Sequence, residues 1–352
     1  MNPSFWHRRR VLVTGHTGFK GSWLSLILDR LGAIVTGYSL APHGDHSLFE
    51  SARVDRHINS VIADIQDLDT LRRTVGAAQP EVVIHLAAQS LVLTSYKVPV
   101  ETFSTNVIGT ANVLEATRAT DTTRAVVVVT TDKVYRNREW LWPYRENDEL
   151  GGRDPYSASK ACAELVTSSY RESFLAERGV AVASARAGNV IGGGDWSADR
   201  VVPDFVRAVL DKRPMTVRNP GSVRPWQHLL EPLEGYLELA ERLITEPKHA
   251  QGAWNFGPMP EAIRPVRQLV DDLAAAWGEG ATWKHEPVEQ PHEASTLLLD
   301  STRARQELGW TQRLGYLRGV HLVAEWYKGF AKGDDLEATT LAQIDSEMSR
   351  PG

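Results

Sequence analysis

The amino-acid sequence predicts an α/β fold: a doubly wound parallel sheet followed by a smaller C-terminal lobe. Three observations lead there. Short β-branched or apolar runs alternate through the first half with stretches of helical periodicity. A glycine-rich turn joins the first run to the first helix. Beyond about residue 190 the alternation gives way to segments rich in Gly, Pro, Trp and charge.

The elements follow in order. Arg10 to Thr14, Ala33 to Tyr38, Ile58 to Ala63, Val82 to Leu86 and Ala125 to Thr130 are short enough for strands and too short for helices. Between them, Ser22 to Leu31, Leu68 to Val75 and Val98 to Ala119 return apolar residues every three or four positions, as a helix lying on a sheet requires. Strand and helix in alternation mark βαβ units, with both faces of the sheet covered. Val180 to Arg186 adds a further strand. We expect residues 1–188 to form the first domain, with later segments returning to it, and 189–352 to form mainly the second lobe. Residues 332–352 are polar and read either as a docked helix or as a frayed tail.

Length and composition exclude several classes. At roughly 150 residues per domain, 352 residues correspond to about two domains. With 42% hydrophobic and 24% charged residues the chain is an ordinary globular protein rather than a disordered or repetitive one. A formal charge of −5, from 39 basic and 44 acidic residues, gives no field for nucleic acid or anionic lipid. Cys162 is the only cysteine, so a disulfide within the chain is excluded and a reducing, cytoplasmic setting is expected. No stretch approaches the ~18 apolar residues of a membrane span. His228, His285 and His292 lack metal-ligand spacing, and no metal is expected.

The first strand runs into Gly15-His16-Thr17-Gly18-Phe19-Lys20-Gly21. Glycines there allow a tight turn and a close approach of backbone to a pyrophosphate, whose charge rests on the helix N-terminus. The sheet is therefore expected to be Rossmann-type. Gly15, His16, Gly18, Phe19, Lys20 and Gly21 are candidate cofactor residues, His16 and Lys20 as positive charge beside the phosphates. The second strand ends Gly37-Tyr38-Ser39, without the acid that would hold the ribose of NAD and without an arginine for the phosphate of NADP. Either cofactor remains open on these residues. Asp64 and Ile65, after the third strand, are placed for an adenine edge, with a helix cap as the competing reading of Asp64. Leu86, Ala87, Ala88 and Gln89, at the end of the fourth strand, are small enough to let a cofactor lie close.

Tyr156 and Lys160 stand four residues apart, which on a helix puts a phenol and an ammonium on one face. A cation beside a phenol favours phenolate and lowers its pKa towards working pH.

With these motifs in place the chain resembles the extended short-chain dehydrogenase/reductases that modify nucleotide-linked sugars, over nearly its whole length. Gly15 to Gly21, His85 to Gln89, Asn106, Thr131, Tyr156 and Lys160 match that family in order and spacing. Thr131-Asp132-Lys133 resembles the branch of sugar nucleotide 4,6-dehydratases, which usually carry Asp-Glu there. Lys133 departs from that pattern and is similar to the form acting on CDP-linked glucose. So are Tyr144-Arg145-Glu146-Asn147 and Gly151-Gly152-Arg153-Asp154-Pro155-Tyr156-Ser157.

The resemblance implies NAD as cofactor, held in part by Asn106, Tyr156 and Lys160, and a catalytic set of Thr131, Asp132, Lys133, Tyr156 and Lys160. Tyr156 would take a proton from the carbon-4 hydroxyl, Thr131 would hydrogen-bond the same oxygen, and Asp132 would protonate the leaving carbon-6 hydroxyl. Lys133 has two readings: a base for the carbon-5 proton, which requires desolvation because its reference pKa is ~10.4, or a cation stabilising the enolate. For the substrate the resemblance points to Asn189 and Arg224 on the diphosphate, Arg200 as a lesser candidate and His292 near the base. Turn formation competes at Asn189, and a loop cap at His292. It also implies a homodimer or homotetramer, built on the helices Val98 to Ala119 and Pro155 to Ser169. A 4-epimerase or decarboxylase of the family would share Tyr156 without needing Asp132 as an acid. A dinucleotide-sensing protein without catalysis would have no use for Tyr156, Lys160 and Thr131 together. A hydrolase is disfavoured, because the chain has no Gly-x-Ser-x-Gly elbow.

Overall fold

In the computed structural model, which describes residues 2–44, 46–278, 280–286 and 296–348, seven parallel strands form one sheet. They are β1 (Arg10–Thr14), β2 (Ile34–Ser39), β3 (Asn59–Ile62), β4 (Val82–His85), β5 (Ala125–Val129), β6 (Ala181–Ala187) and β7 (Gly252–Phe256). Their order is β7-β6-β5-β4-β1-β2-β3, so the chain reverses direction of growth between β1 and β4. The carboxyl ends of strands at such a switch point open a crevice for a ligand.

The helices that matter for the site are α1 (Phe19–Arg30), α2 (Leu68–Ala78), α3 (Gly109–Arg118), α4 (Pro155–Tyr170), α5 (Leu230–Thr245), α6 (Tyr316–Lys332) and α7 (Leu336–Met348). They cover both faces of the sheet, and the strands show why. Successive side chains of a strand point to opposite faces. Val11, Val13, Val82, Ile84, Val127 and Val129 enter the larger core, where α1, α5 and α6 pack. Leu12, Val83, Val126, Val128 and Val182 enter the other, under α2, α3 and α4. A buried Val or Leu contributes about 1.5–3 kcal/mol relative to exposure, so an uninterrupted apolar run is stable only when both faces are roofed. On β6 the larger core receives Ala181, Ala183, Ala185 and Ala187, small residues that leave room for Tyr236, Trp254 and Phe256.

Two expectations were refined. The stretch Val98 to Ala119, read as one helix, consists of Pro99–Phe103, a π-turn over Ser104–Ile108, and α3. Apolar spacing does not reveal the extra residue of a π-turn, which here turns Asn106 inward to 1% exposure. The C-terminal stretch is a docked helix, not a frayed tail, as far as Met348. α7 is held to α6 by Trp326 Nε1 donating to Thr340 Oγ1 at 2.9 Å and Gln343 Nε2 donating to the Leu322 carbonyl at 2.9 Å. His57 joins it to α1, with Nδ1 2.7 Å from Asp29 Oδ2 and Nε2 2.9 Å from Glu337 Oε1. No helix among the described residues is long and apolar enough to cross a membrane.

Candidate active site

β1 delivers the chain into the glycine loop. Gly15 turns at φ +79°, and a Cβ there would lie 2.7 Å from the Ala87 nitrogen, so only glycine passes the end of β4. Gly21 is pressed against the Gly15 carbonyl. Gly18 is the exposed N-cap of α1 and no side chain caps that helix, which leaves its first N–H groups to an anion. Phe19 and Lys20 open the helix. Leu86 and Ala87 continue β4 beside this loop, their N–H groups donating to the Thr14 carbonyl (3.1 Å) and to Thr14 Oγ1 (3.2 Å). Ala88 follows, half-buried. A bare helix N-terminus, a glycine crossing and small residues at the β4 end are a set that fits a dinucleotide.

Several side chains assigned to the cofactor do something else. His16 is not a source of charge. Its ring is buried against Gly37 and Phe49, with Nε2 2.7 Å from Ser60 Oγ, and burial drives its pKa down to about 4, so it is neutral at pH 7. The Lys20 ammonium lies 5.9 Å from the Tyr236 ring centre. Burial and the nearby Arg200 lower its pKa to about 8, while Asp132 and Asp195 oppose that. Ile65 is a core side chain, packed where Gly109 leaves space. Asp64 forms a local turn by accepting from Gln66 N–H at 2.9 Å, and the cap of α2 is Asp67.

Asn106 is fully engaged within the protein. Its Oδ1 accepts from Gln89 N–H (2.9 Å), and its Nδ2 donates to the Gln89 carbonyl (2.9 Å) and to Ser159 Oγ (2.8 Å). The amide is a clamp between the β4 loop and α4, not a free ligand. The Gln89 side chain is likewise taken up, by Thr102 and the Leu91 N–H.

The reaction centre is assembled at the end of β5. The chain leaves the strand through Thr130 and Thr131 into a turn over Asp132–Val134. Thr131 Oγ1 donates to Asp132 Oδ1 at 2.9 Å. Asp132 is 2% exposed and its Oδ2 has no partner among the described residues. Burial raises its pKa, although Lys133, Thr131, Arg224 and Lys20 pull the other way, so the site favours the protonated acid. Tyr156 sits in the first turn of α4, which Asp154 caps by accepting from Ser157 N–H at 2.9 Å. Lys160, one turn on, donates to the Val129 carbonyl at 2.8 Å.

The expected lowering of the Tyr156 pKa by Lys160 is not what this site exhibits. Burial pushes the phenol up to about 12, and the Thr131 hydroxyl and Arg200 only partly offset it. Lys160 itself is brought down to about 8 by burial, with Glu164 opposing. Desolvation, invisible to residue spacing, outweighs the neighbouring cation.

Sequence reasoning missed the support behind this centre. Glu164 lies one further turn along the Lys160 face of α4. Its carboxylate accepts from Thr130 Oγ1 (2.6 Å), Ser184 Oγ (2.5 Å), Arg186 Nε (2.9 Å) and Arg186 Nη2 (3.0 Å). Arg186 in turn donates to the Tyr135 hydroxyl at 2.7 Å. Four segments bearing the reaction centre are thus fixed to one buried ion pair. The i,i+4 spacing from Lys160 was the available clue.

Beside the reaction centre opens a cavity of about 450 Å³, lined among others by Lys133, Asp154, Ser157, Asn189 and Arg224. Arg224 stands opposite Arg264 in the antiparallel pair of Val223–Pro225 with Ile263–Pro265. The Arg264 guanidinium lies over the Tyr316 ring, 6.0 Å from its centre. Arg200 does not line this cavity. It pairs with Asp195 at 3.0 Å and faces Tyr156 and Lys20 instead. His292 lies outside the described residues. No group of three or more His, Cys, Asp or Glu side chains among the described residues is placed to hold a metal.

Comparison with known proteins sharpens the picture. Residues 12–322 match the family described as GDP-mannose 4,6 dehydratase. The chain is 47% identical to CDP-glucose 4,6-dehydratase of Salmonella typhimurium over 99% of both chains. It is 25% identical to dTDP-glucose 4,6-dehydratase of Neisseria meningitidis over 91% of this chain and 93% of that one. Among solved structures it resembles the UDP-glucose 4-epimerase of Thermus thermophilus in complex with NAD, with TM-score 0.79 and 26% identity over 91% of this chain and 99% of that chain. It shares the fold of dTDP-glucose 4,6-dehydratase from Bacillus anthracis in complex with NAD, with TM-score 0.77 and 19% identity over 94% and 99%.

Proposed function

Because the chain belongs to the GDP-mannose 4,6 dehydratase family, we propose that it converts CDP-D-glucose to CDP-4-dehydro-6-deoxy-D-glucose and water, with NAD as its cofactor. The observation that carries the reaction type is Asp132, a carboxyl buried beside Thr131, whose pKa desolvation raises. A 4-epimerization has no use for such an acid; loss of a hydroxyl as water requires one. The nucleotide follows from the full-length relative at 47% identity.

When bound, NAD supplies a two-electron acceptor, which takes hydrogen from carbon 4 and later returns it to carbon 6, together with one positive charge. Tyr156 takes the carbon-4 hydroxyl proton while Thr131 hydrogen-bonds that oxygen. Lys160, Lys20 and Arg200 surround the centre with positive charge that favours phenolate over the buried phenol. The ketone at carbon 4 makes the carbon-5 proton acidic, and Lys133 on the cavity wall is assigned to that proton and to the enolate. Asp132 gives its proton to the carbon-6 oxygen, which leaves as water. A proton exchanged with solvent at Lys133 goes back to carbon 5 as carbon 6 is reduced, and the proton taken up by Tyr156 balances the one Asp132 gave. Asn189 and Arg224, on the cavity wall, are assigned to the diphosphate, for which a guanidinium fork is suited. Gly15, Gly18, Phe19, Gly21, Leu86, Ala87 and Ala88 form the bed for NAD, and the neutral His16 and Asp64 flank the end where its adenosine would lie.

We also place the boundary between cofactor and substrate regions near residue 188, with the protein cytoplasmic and a homodimer or homotetramer. What supports assembly is a set of apolar side chains left in water near α3 and along α4: Val100 at 82%, Ile108 at 54% and Leu165 at 62% exposure. The activity is tested by supplying CDP-, dTDP-, UDP- and GDP-hexoses with NAD in heavy water and reading products by NMR. The expected product is a CDP-linked 6-deoxy-4-ketose carrying deuterium at carbon 5; an epimerised sugar with its carbon-6 oxygen intact would reject the proposal.

A further inference from the structure

Two buried polar atoms in the reaction centre have no hydrogen-bond partner among the described residues: Asp132 Oδ2 and the hydroxyl of Tyr236. Tyr236 lies on α5, fully buried. The helix is pressed towards the sheet at Gly235, where a side chain would collide with Phe256, and the Tyr236 ring stands edge-on to Phe256 at 5.6 Å. That packing fixes the phenol under the strand ends, where the Lys20 ammonium lies over its ring. Its hydroxyl is within electrostatic reach of Tyr156 and Asp132, whose charges, together with burial, raise its pKa. Burying a hydroxyl without a partner is unfavourable, so such a group calls for a role.

We propose that Tyr236 is a positioning residue for the acid, its phenol O–H donating to Asp132 Oδ2 once cofactor and substrate fill the site, so that the carboxylate left after proton transfer is held in place. The inference rests on the dehydratase role given to Asp132. The step is balanced: the acid proton goes to the carbon-6 oxygen, and the phenol proton stays on the phenol, which contributes only a hydrogen bond. A bond to the charged form lowers the pKa of a carboxyl, so removing the phenol hydroxyl raises it.

Tyr236→Phe is the test, in the full chain saturated with NAD and CDP. The Asp132 carboxyl is followed by infrared titration of its C=O band, assigned by its loss in Asp132→Asn. The Asp132 transition is expected to move up by about one pH unit or more, with kcat with CDP-glucose about tenfold to a hundredfold lower, the alkaline limb of its pH profile displaced the same way, and the melting temperature unchanged or raised. An Asp132 transition that stays where it is in the parent overturns the proposal. So does a melting temperature several degrees lower, which makes the hydroxyl structural. If the parent does not turn over CDP-glucose, it is the proposed function that fails, and the infrared titration still decides the partner of Asp132.

Discussion

The pKa values of Asp132 and Tyr156 are raised by the same cause, desolvation, and the two groups are assigned opposite tasks. The acid benefits from it, and the phenol must overcome it with surrounding cations. Asp132→Asn keeps the shape and removes the transferable proton. It is expected to lower formation of the 6-deoxy-4-ketose by about 10²- to 10⁴-fold while leaving CDP affinity within about twofold, read by NMR and by calorimetric titration. An unchanged rate would strip Asp132 of its role. At this scale the sequence was informative where function depends on neighbours along the chain: Thr131 beside Asp132, Tyr156 four residues from Lys160. It misled where burial decides. His16 looked like a charge and is a neutral ring beneath β2, and the side chain of Ile65 is packed in the core. Tyr236 comes near Asp132 only through tertiary packing, and no spacing rule connects the two.

The strands lie within a residue or so of where apolar runs put them, because a strand covered on both faces must be apolar throughout. The helix before the catalytic one was harder to read, since its π-turn changes the direction of Asn106 without disturbing the apolar stripe. At the other end of the chain, His57 between Asp29 and Glu337 adds a titratable link to the docking of α7, beside Arg30–Asp345, Arg53–Glu337 and the hydrogen bonds to α6. Burial works against a charge on that ring, and the two carboxylates outweigh it, so its pKa is raised in the folded protein. A raised histidine pKa stabilises below the unfolded value of ~6.5, and that contribution is lost as pH climbs through the folded one. Proteolysis or hydrogen exchange of residues 336–348 is therefore expected to quicken several-fold above neutral pH. In His57→Gln the rate should be fast at every pH between 6 and 9. A parent rate that does not change with pH would remove His57 from this role.

At the level of the molecule, a chain carrying −5 overall sets Lys133 and Arg224 on the cavity wall and Lys20, Lys160 and Arg200 close to one another beside it, a local excess of positive charge that suits the nucleotide diphosphates of the proposed function. Leu165, 62% exposed on α4, offers the means to examine assembly. Leu165→Glu is expected to shift sedimentation from the oligomer to the monomer at micromolar protein, with the melting temperature falling as subunits separate. A variant that sediments like the parent places the interface elsewhere.

Asn106 adds a mechanical consequence. By gripping both backbone groups of Gln89 and the hydroxyl of Ser159, it rivets the bed of the dinucleotide to the helix that aims the phenol. The loop after β4 and the first turns of α4 are thereby tied to one buried amide, so a change in the position of either is passed to the other.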